Sequence, residues 1–314
     1  MALSLAESAK LSSTNLQRGV IELFVQESSI LDRIPLMPIE GNSYSYNEEA
    51  TLPGVAFRSV NEAYTESTGT VNQKSESLVI LGGDADVDRF IVQTRGNLND
   101  QRAVQTRMKV KAAAYKFQDT FFNGDVATDA KSFDGLRKRL TGAQVISSGV
   151  NGLGPVAGGH EFLDLLDTLV GSVPGLNSSN GALYANRQII AKIRSSTRRL
   201  GGFDMVKEAI TGKLVATYNG VPLLDPGQTA AGADILPQTE TQGTAADASS
   251  IYAVRFGQTE DDQAVTGLTN GGVMVDDLGQ LETKPAYRTR IEFYCGLAVF
   301  GGKGAARLNG VLAK

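Results

Sequence analysis

Tryptophan is absent from this 314-residue sequence, and cysteine and histidine occur once each, as Cys295 and His160. A single cysteine excludes an intramolecular disulfide framework and fits a reducing compartment. One cysteine and one histidine together exclude a zinc cluster of the usual ligand types. Aromatic residues are only 7% of the chain. The longest apolar stretch, near Leu297, falls far short of the roughly 20 residues that span a bilayer. The start, Met1-Ala2-Leu3-Ser4-Leu5, lacks the basic opening and apolar run of a signal peptide. A soluble protein made in the cytoplasm, with no membrane partner, is expected. The net charge of -4 argues against a general nucleic-acid binder held by a basic surface.

Glycine is abundant instead, at 35 residues, above an average usage of roughly 7%. Many glycines and few aromatics imply many turns and much backbone outside a compact core. That is the composition of an extended subunit that finishes its burial in an assembly.

Periodicity divides the chain. Residues 1–34 read as a polar-rich helical arm, with Leu16, Val20, Leu23 and Phe24 on one face, Thr14 or Asn15 as cap, and Pro35 and Pro38 as stops. Its apolar face is too narrow to fold alone. In residues 41–81, Tyr44, Tyr46, Val55, Phe57, Val60 and Tyr64 alternate with polar residues. This predicts a long hairpin turning at 48–54, returning through 69–81 and burying little on either face. The clearest helix covers 97–123, capped by Asn97 or Asn99 and ended by Asn123-Gly124. Val110, Ala114, Phe117 and Phe121 form one apolar stripe, and Val104, Met108, Tyr115 and Phe122 a second.

A compact α/β part follows. Helices are predicted over 161–170 and over 187–200, the latter capped by Asn186, with a short strand at 182–185. Strands at 214–218 and 221–224 flank an Asn219-Gly220 turn. Residues 226–249, rich in Gly, Ala, Thr and Gln, have no periodicity and read as a long surface loop. Strands are expected at 251–256, 264–268, 273–275, 287–300 and 306–311.

Charge is segregated. Residues 40–94 hold nine acids and three bases, residues 95–139 ten bases and five acids, and residues 225–282 ten acids and one base. Solvated faces would explain this. Acidic and basic segments of neighbouring subunits meeting would explain it too.

The order of these parts resembles the major capsid proteins of tailed double-stranded-DNA bacteriophages, the Hong Kong ninety-seven-type capsid fold shared with encapsulins. Three phrases carry the resemblance. Phe121-Phe122-Asn123-Gly124-Asp125, with Phe133-Asp134-Gly135-Leu136, looks like the junction after that family's spine helix. Tyr218-Asn219-Gly220-Val221-Pro222-Leu223-Leu224 looks like its strand-turn-strand before the long axial loop. Tyr287 to Leu297, with Ala305-Ala306-Arg307-Leu308, looks like its closing strands.

The resemblance implies an α+β fold and a division into four parts. An N-terminal arm would take 1–40 and an extended hairpin loop 41–81. A peripheral domain with spine helix 97–123 would take 82–150 and 285–314, and an axial domain 151–284. It also implies a subunit assembling with itself into pentamers and hexamers of an icosahedral virion head, around packaged double-stranded DNA. Scaffold, portal and cement proteins are the implied partners. The sequence opens directly on the arm, so a separate scaffold or prior cleavage is expected to guide assembly. Lys74 is the only hairpin lysine and lies away from the turn, so no intersubunit crosslink is expected.

Joined to the charge pattern, the resemblance places the acidic hairpin, with Glu48, Glu49, Glu62 and Glu66, on a neighbour's basic spine. There it would meet Arg102, Arg107, Lys109, Lys111 and Lys116.

Other chemistry is weakly signalled. Gly152-x-Gly154-x-x-x-Gly158 departs from dinucleotide-loop spacing and contains Pro155. Gly301-Gly302-Lys303-Gly304 lacks the Ser or Thr of a phosphate loop and reads as a turn. No cofactor is expected. His160 has no matched nucleophile signature, which makes a soluble hydrolase a remote alternative and an encapsulin-like compartment the nearer one. Cys295 reads as a buried inert thiol. Asp276-Asp277 and Glu260-Asp261-Asp262 read as exposed turns rather than a cation site.

Overall fold

The computed structural model describes residues 28–95, 101–157, 159–199, 204–207 and 214–313. The arm helix with its caps, and the caps Asn97 and Asn99, lie outside the described residues. Strands β1 (Leu36–Pro38), β2 (Ser43–Thr51), β3 (Thr70–Ser77) and β4 (Val79–Asp88) come first, followed by helices α1 (Arg89–Arg95) and α2 (Gln101–Asn123). A single turn α3 (Leu136–Arg139), β5 (Val145–Ser147), α4 (His160–Gly171), β6 (Gly181–Tyr184) and α5 (Arg187–Arg199) come next. Strands β7 (Asp204–Lys207), β8 (Leu214–Tyr218), β9 (Val221–Leu224), β10 (Glu240–Gln242) and β11 (Ala245–Arg255) lead to the long β12 (Val265–Gln280), β13 (Ala286–Val299) and β14 (Ala305–Leu312). The class is α+β, as expected.

Helix α2 is a rod about 35 Å long at 1.5 Å per residue. Its stripe Val110, Ala114, Phe117 and Phe121 is buried against a four-stranded sheet of order β1-β12-β13-β4; the Phe117 ring lies 5.9 Å from that of Phe293 on β13. The second stripe divides. Phe122 is buried between Tyr184 and Tyr252 of the larger sheet, at ring distances of 5.5 and 5.1 Å. Val104 and Met108 are exposed, because the larger sheet reaches only the C-terminal end of the rod.

Gly124 ends this helix for a reason other than the left-handed cap expected of it. It is not among the positive-φ glycines. A Cβ on Gly124 would lie 2.3 Å from the carbonyl oxygen of Phe133, and one on Gly135 would lie 2.5 Å from that of Thr120. Backbone packs on backbone here, and the Gly135 N–H donates to Gly124 O at 2.9 Å.

The hairpin departs from its expected shape. Strand β2 runs through Glu48 and Glu49 to Thr51, so 48–54 is not the turn. The ladder pairs Ser43 with Ser77 and ends at Thr51 opposite Thr70. Residues 52–69 carry no strand, although Val55, Phe57, Val60 and Tyr64 alternate; alternation makes a strand only where a partner or a core receives one face. The base of the hairpin does bury apolar surface. Tyr46 packs edge-on to Phe300 at 4.8 Å, beside Ile39 and Leu268. Residues 79–88 are not a returning limb but β4, paired antiparallel with β13 from Asp88 opposite Ala286 to Val79 opposite Cys295.

The end of the arm is likewise no loose segment, for Ile30, Leu31 and Ile34 are fully buried in the main core. The Tyr184 hydroxyl donates to Ser29 O at 3.3 Å.

The larger sheet has the order β5-β14-β11-β6-β9-β8-β7, with β10 against β11. Alternation along its strands serves two cores. Leu183, Ile251, Ala253 and Leu308 face α4 and α5, while Tyr184, Tyr252 and Val254 face the end of α2. Asn186 caps α5 as expected, its Oδ1 accepting from Gln188 N at 2.9 Å. Asn219 and Gly220 both have positive φ, 49° and 76°, the conformation a two-residue hairpin turn demands. The expected surface loop 226–249 is partly wrong. Ile235 and Leu236 are buried anchors, and β11 already begins at Ala245. Two isolated apolar residues give no period, which is why they were invisible. The strands expected at 264–268 and 273–275 are one, β12, bent at Gly271 and Gly272.

Candidate intersubunit surface

The tip of the hairpin exposes a set of apolar side chains. Val55, Phe57 and Val60 are at least 90% exposed, and Leu52 and Tyr64 largely so. Eight residues of paired strand, at about 3.3 Å each, hold this tip on the order of 25 Å from its own base. The tip is braced internally. Glu62 accepts from Ser59 N at 2.9 Å, and the Arg58 guanidinium lies 5.2 Å from the Tyr64 ring centroid.

An apolar groove of about 170 Å³ opens between β4 and the C-terminal half of α2, lined by Val79, Leu81, Phe117 and Phe133. Ile80, 71% exposed, stands at its mouth, and Lys116 and Lys131 stand on its rim.

The acids singled out in the sequence are placed as follows. Glu48 already has a partner within the hairpin, Lys74, at 2.5 Å. Glu49 lies in β2 opposite Val71. Glu62 and Glu66 are exposed between the strands. The bases spread along α2. Arg102 pairs with Asp277 of β12 at 2.6 Å and lies over the Tyr287 ring. Lys109 runs beside Gly83, and the Lys111 ammonium lies 5.5 Å from the Tyr115 ring centroid. Arg107 and Lys116 are exposed.

Among the ion pairs that escaped the sequence reading, three bear on the hairpin and the spine. Glu48–Lys74 is a diagonal cross-strand pair, visible only once the register is known, since Glu48 faces Asn72. Arg102–Asp277 joins residues 175 positions apart. Arg139 grips Glu76 with both terminal nitrogens, one at 2.7 Å, and both side chains are largely buried. A fourth feature is a charged ladder on β4 and β13, where Arg288 faces Asp86 and Arg290 faces Asp84 in register. Hydrogen bonds from Arg288 and then Lys284 hold the Asp86 carboxyl well below the usual carboxylate range.

His160 and Cys295, the two side chains of competing reactive chemistry, lie on different elements. His160 is exposed at the first residue of α4, and its side chain has no hydrogen-bond partner among the described residues. Cys295 is buried in β13, and burial pushes its thiol up to about 12. Gly301 and Gly302 form a turn with positive φ. Glu260–Asp262 is a short helical turn closed by Thr259, whereas Asp276 and Asp277 lie within β12 instead of in a turn. Among the described residues, no group of three or more His, Cys, Asp or Glu could hold a metal, and no helix is long and apolar enough to cross a membrane.

Solved structures share this architecture across the chain. The holo-SrpI encapsulin complex from Synechococcus elongatus PCC 7942 superposes with a TM-score of 0.65 at 21% identity, over 90% of this chain and 86% of that one. The capsid of an empty GTA particle, computed with C5 symmetry, gives 0.64 at 15% identity over 91% and 90%. A chain solved from Mycobacterium phage Bobi gives 0.58 at 13% identity over 90% and 89%. This chain has the phage major-capsid fold. The capsid fold is seconded by sequence, for the family model described as major capsid protein GP7 matches residues 13–154. No curated protein matches the sequence. Family match and capsid fold together support a structural shell subunit and imply a non-enzymatic role.

Proposed function

We propose that this chain is the subunit of an icosahedral phage head, assembling with itself into pentamers and hexamers around packaged double-stranded DNA in the host cytoplasm. Scaffold, portal and cement proteins would be its partners. The observation that carries the reading is the uncovered hairpin tip on a capsid fold. Five large apolar side chains stand exposed at the end of the hairpin, uncovered by the described residues, and exposed apolar clusters mark contact surfaces.

The arm 1–40, hairpin 41–81, peripheral parts 82–150 and 285–314, and axial part 151–284 are the working divisions. The hairpin of one subunit lies on the spine of the next. There the acids Glu48, Glu49, Glu62 and Glu66 approach Arg107, Lys109, Lys111 and Lys116. Leu52, Val55 and Phe57 supply what the groove beside Phe117 lacks. Arg102 and Glu48 contribute less, being paired within their own chain.

An encapsulin-like compartment is the second reading, favoured by the likeness to the SrpI shell. Electron microscopy of purified particles with analysis of their contents tests both. Closed shells holding DNA are expected, and closed shells holding a protein cargo would favour the compartment. A chain that stays monomeric or dimeric, with hydrolytic turnover lost in His160→Ala, would overturn the shell reading.

A further inference from the structure

The two helices of the compact part carry opposite charge on their outward sides. Helix α4 presents Glu161, Asp164 and Asp167. Helix α5 presents Arg187, Lys192, Arg198 and Arg199, with Arg194 half-buried, and has no acid. Both helices cover the same face of the larger sheet.

Part of this pattern is explained within the chain. The helix dipole favours Glu161 in a first turn and Arg198 and Arg199 in a last turn. Arg187 lies near Asp225 and Asp234, and Asp167 accepts from the Tyr218 hydroxyl at 2.8 Å. The dipole leaves Asp164 and Lys192 without a reason. Glu161, Asp164, Lys192, Arg198 and Arg199 make no ion pair among the described residues. Like charges three places apart, Glu161 with Asp164 and Asp164 with Asp167, work against their own helix. The dipole accounts for the ends of the helices but not for Asp164 and Lys192, which a neighbour of opposite sign would pair.

We infer that α4 of one copy meets α5 of the next, head to tail, around a symmetry axis of the shell. The inference rests on the shell reading above. Two patches of opposite sign at different places on one subunit suit a heterologous contact, which generates a ring where its rotation closes. A two-fold contact would satisfy the same charges by setting α4 against α5 in both directions, but it closes at two copies, whereas the rings of the shell reading need a contact that repeats around the axis.

Charge reversal tests this in the full chain, with light scattering and electron microscopy reporting particles. Glu161→Lys with Asp164→Lys, or Lys192→Glu with Arg199→Glu, should each raise the protein concentration needed for assembly about tenfold or more, since small pairwise terms repeat at every contact. The melting curve of the dispersed subunit should hold. Both reversals in one chain should restore assembly. An equimolar mixture of the two variants should also associate, but only into rings with an even number of places, because alternation cannot close around five. Should a reversed chain melt early, Asp164→Asn and Lys192→Gln read the same contact through the salt dependence of assembly, which should weaken in both.

A wild-type chain that forms no particles sinks the shell reading and this contact with it. Normal particles from either reversal, no rescue in the combined chain, or unchanged salt dependence in the neutral variants sinks the contact alone. So does loss of nucleic acid from particles of the base-reversed variant with the acid-reversed variant silent, which would assign α5 to nucleic acid.

Discussion

Arg139, in the turn after the spine, holds both carboxylate oxygens of Glu76 near the base of the hairpin, 63 positions away in sequence. The Arg139 Nε also donates to Asp134 O at 2.6 Å, so its planar head is fixed on two sides. The pair ties the direction of the hairpin to the end of α2. Glu76→Ala should therefore cost about 2 kcal/mol, as expected for losing charge-assisted hydrogen bonds. It should also speed amide exchange across 43–51 and 70–77. Arg139→Lys keeps the charge but not the fork and should recover only part of the protection. Unchanged exchange in Glu76→Ala would release the hairpin from this anchor.

Phe57→Ser combined with Val55→Ser should separate assembly from folding. Both side chains are over 95% exposed, so the melting of the dispersed subunit should move by no more than about 0.5 kcal/mol. Particle yield should fall sharply. Equal yields from variant and parent would mean that the tip is not a contact.

Gly124→Ala should destabilise by about 3 kcal/mol, in the range of an overpacked core, because a methyl group at 2.3 Å from Phe133 O has no room. Gly142→Ala makes the contrast. Its added carbon meets nothing within 4 Å, and its cost comes from its positive φ of 60° alone. Denaturant midpoints of the two variants report the difference.

Acid should act on the ladder of β4 and β13. Asp84 and Asp86 are held below the ordinary carboxylate range chiefly by hydrogen bonds from Arg290 and Arg288. A carboxyl whose folded pKa is depressed contributes stability that is present above its unfolded value, near about pH 4, and is lost as pH falls towards the folded one. Melting temperature should therefore decline below about pH 4, and Asp86→Asn should flatten that decline while lowering the plateau at neutral pH. An identical acid limb in variant and parent would remove the ladder from the account.

The helices and the closing strands were legible because their signals are local. The stripe Val110, Ala114, Phe117 and Phe121 fits a helix period, and Asn219-Gly220 fits a two-residue turn. The hairpin tip misled because Val55, Phe57 and Val60 alternate as a strand would, and nothing in a sequence says whether a partner strand is there. Ile235 and Leu236 were missed for the opposite reason, two buried residues being too few to make a period. The charge segregation that suggests a contact surface was legible in the sequence, but the exposed apolar tip beside it was not. Nor were the partners that Glu48, Glu76 and Arg102 find at home, since those depend on register and on contacts between distant segments.

Strand β3 runs into β4 with only Leu78 between them, and ten residues of β4 lie antiparallel along β13. A pull on the hairpin directed along β4 loads the β4–β13 ladder lengthwise. Its hydrogen bonds and its Asp–Arg rungs share the force together rather than parting one after another, as they would if the strand were peeled from its edge. The hairpin is rooted as a tether, suited to bearing tension along the line of β4.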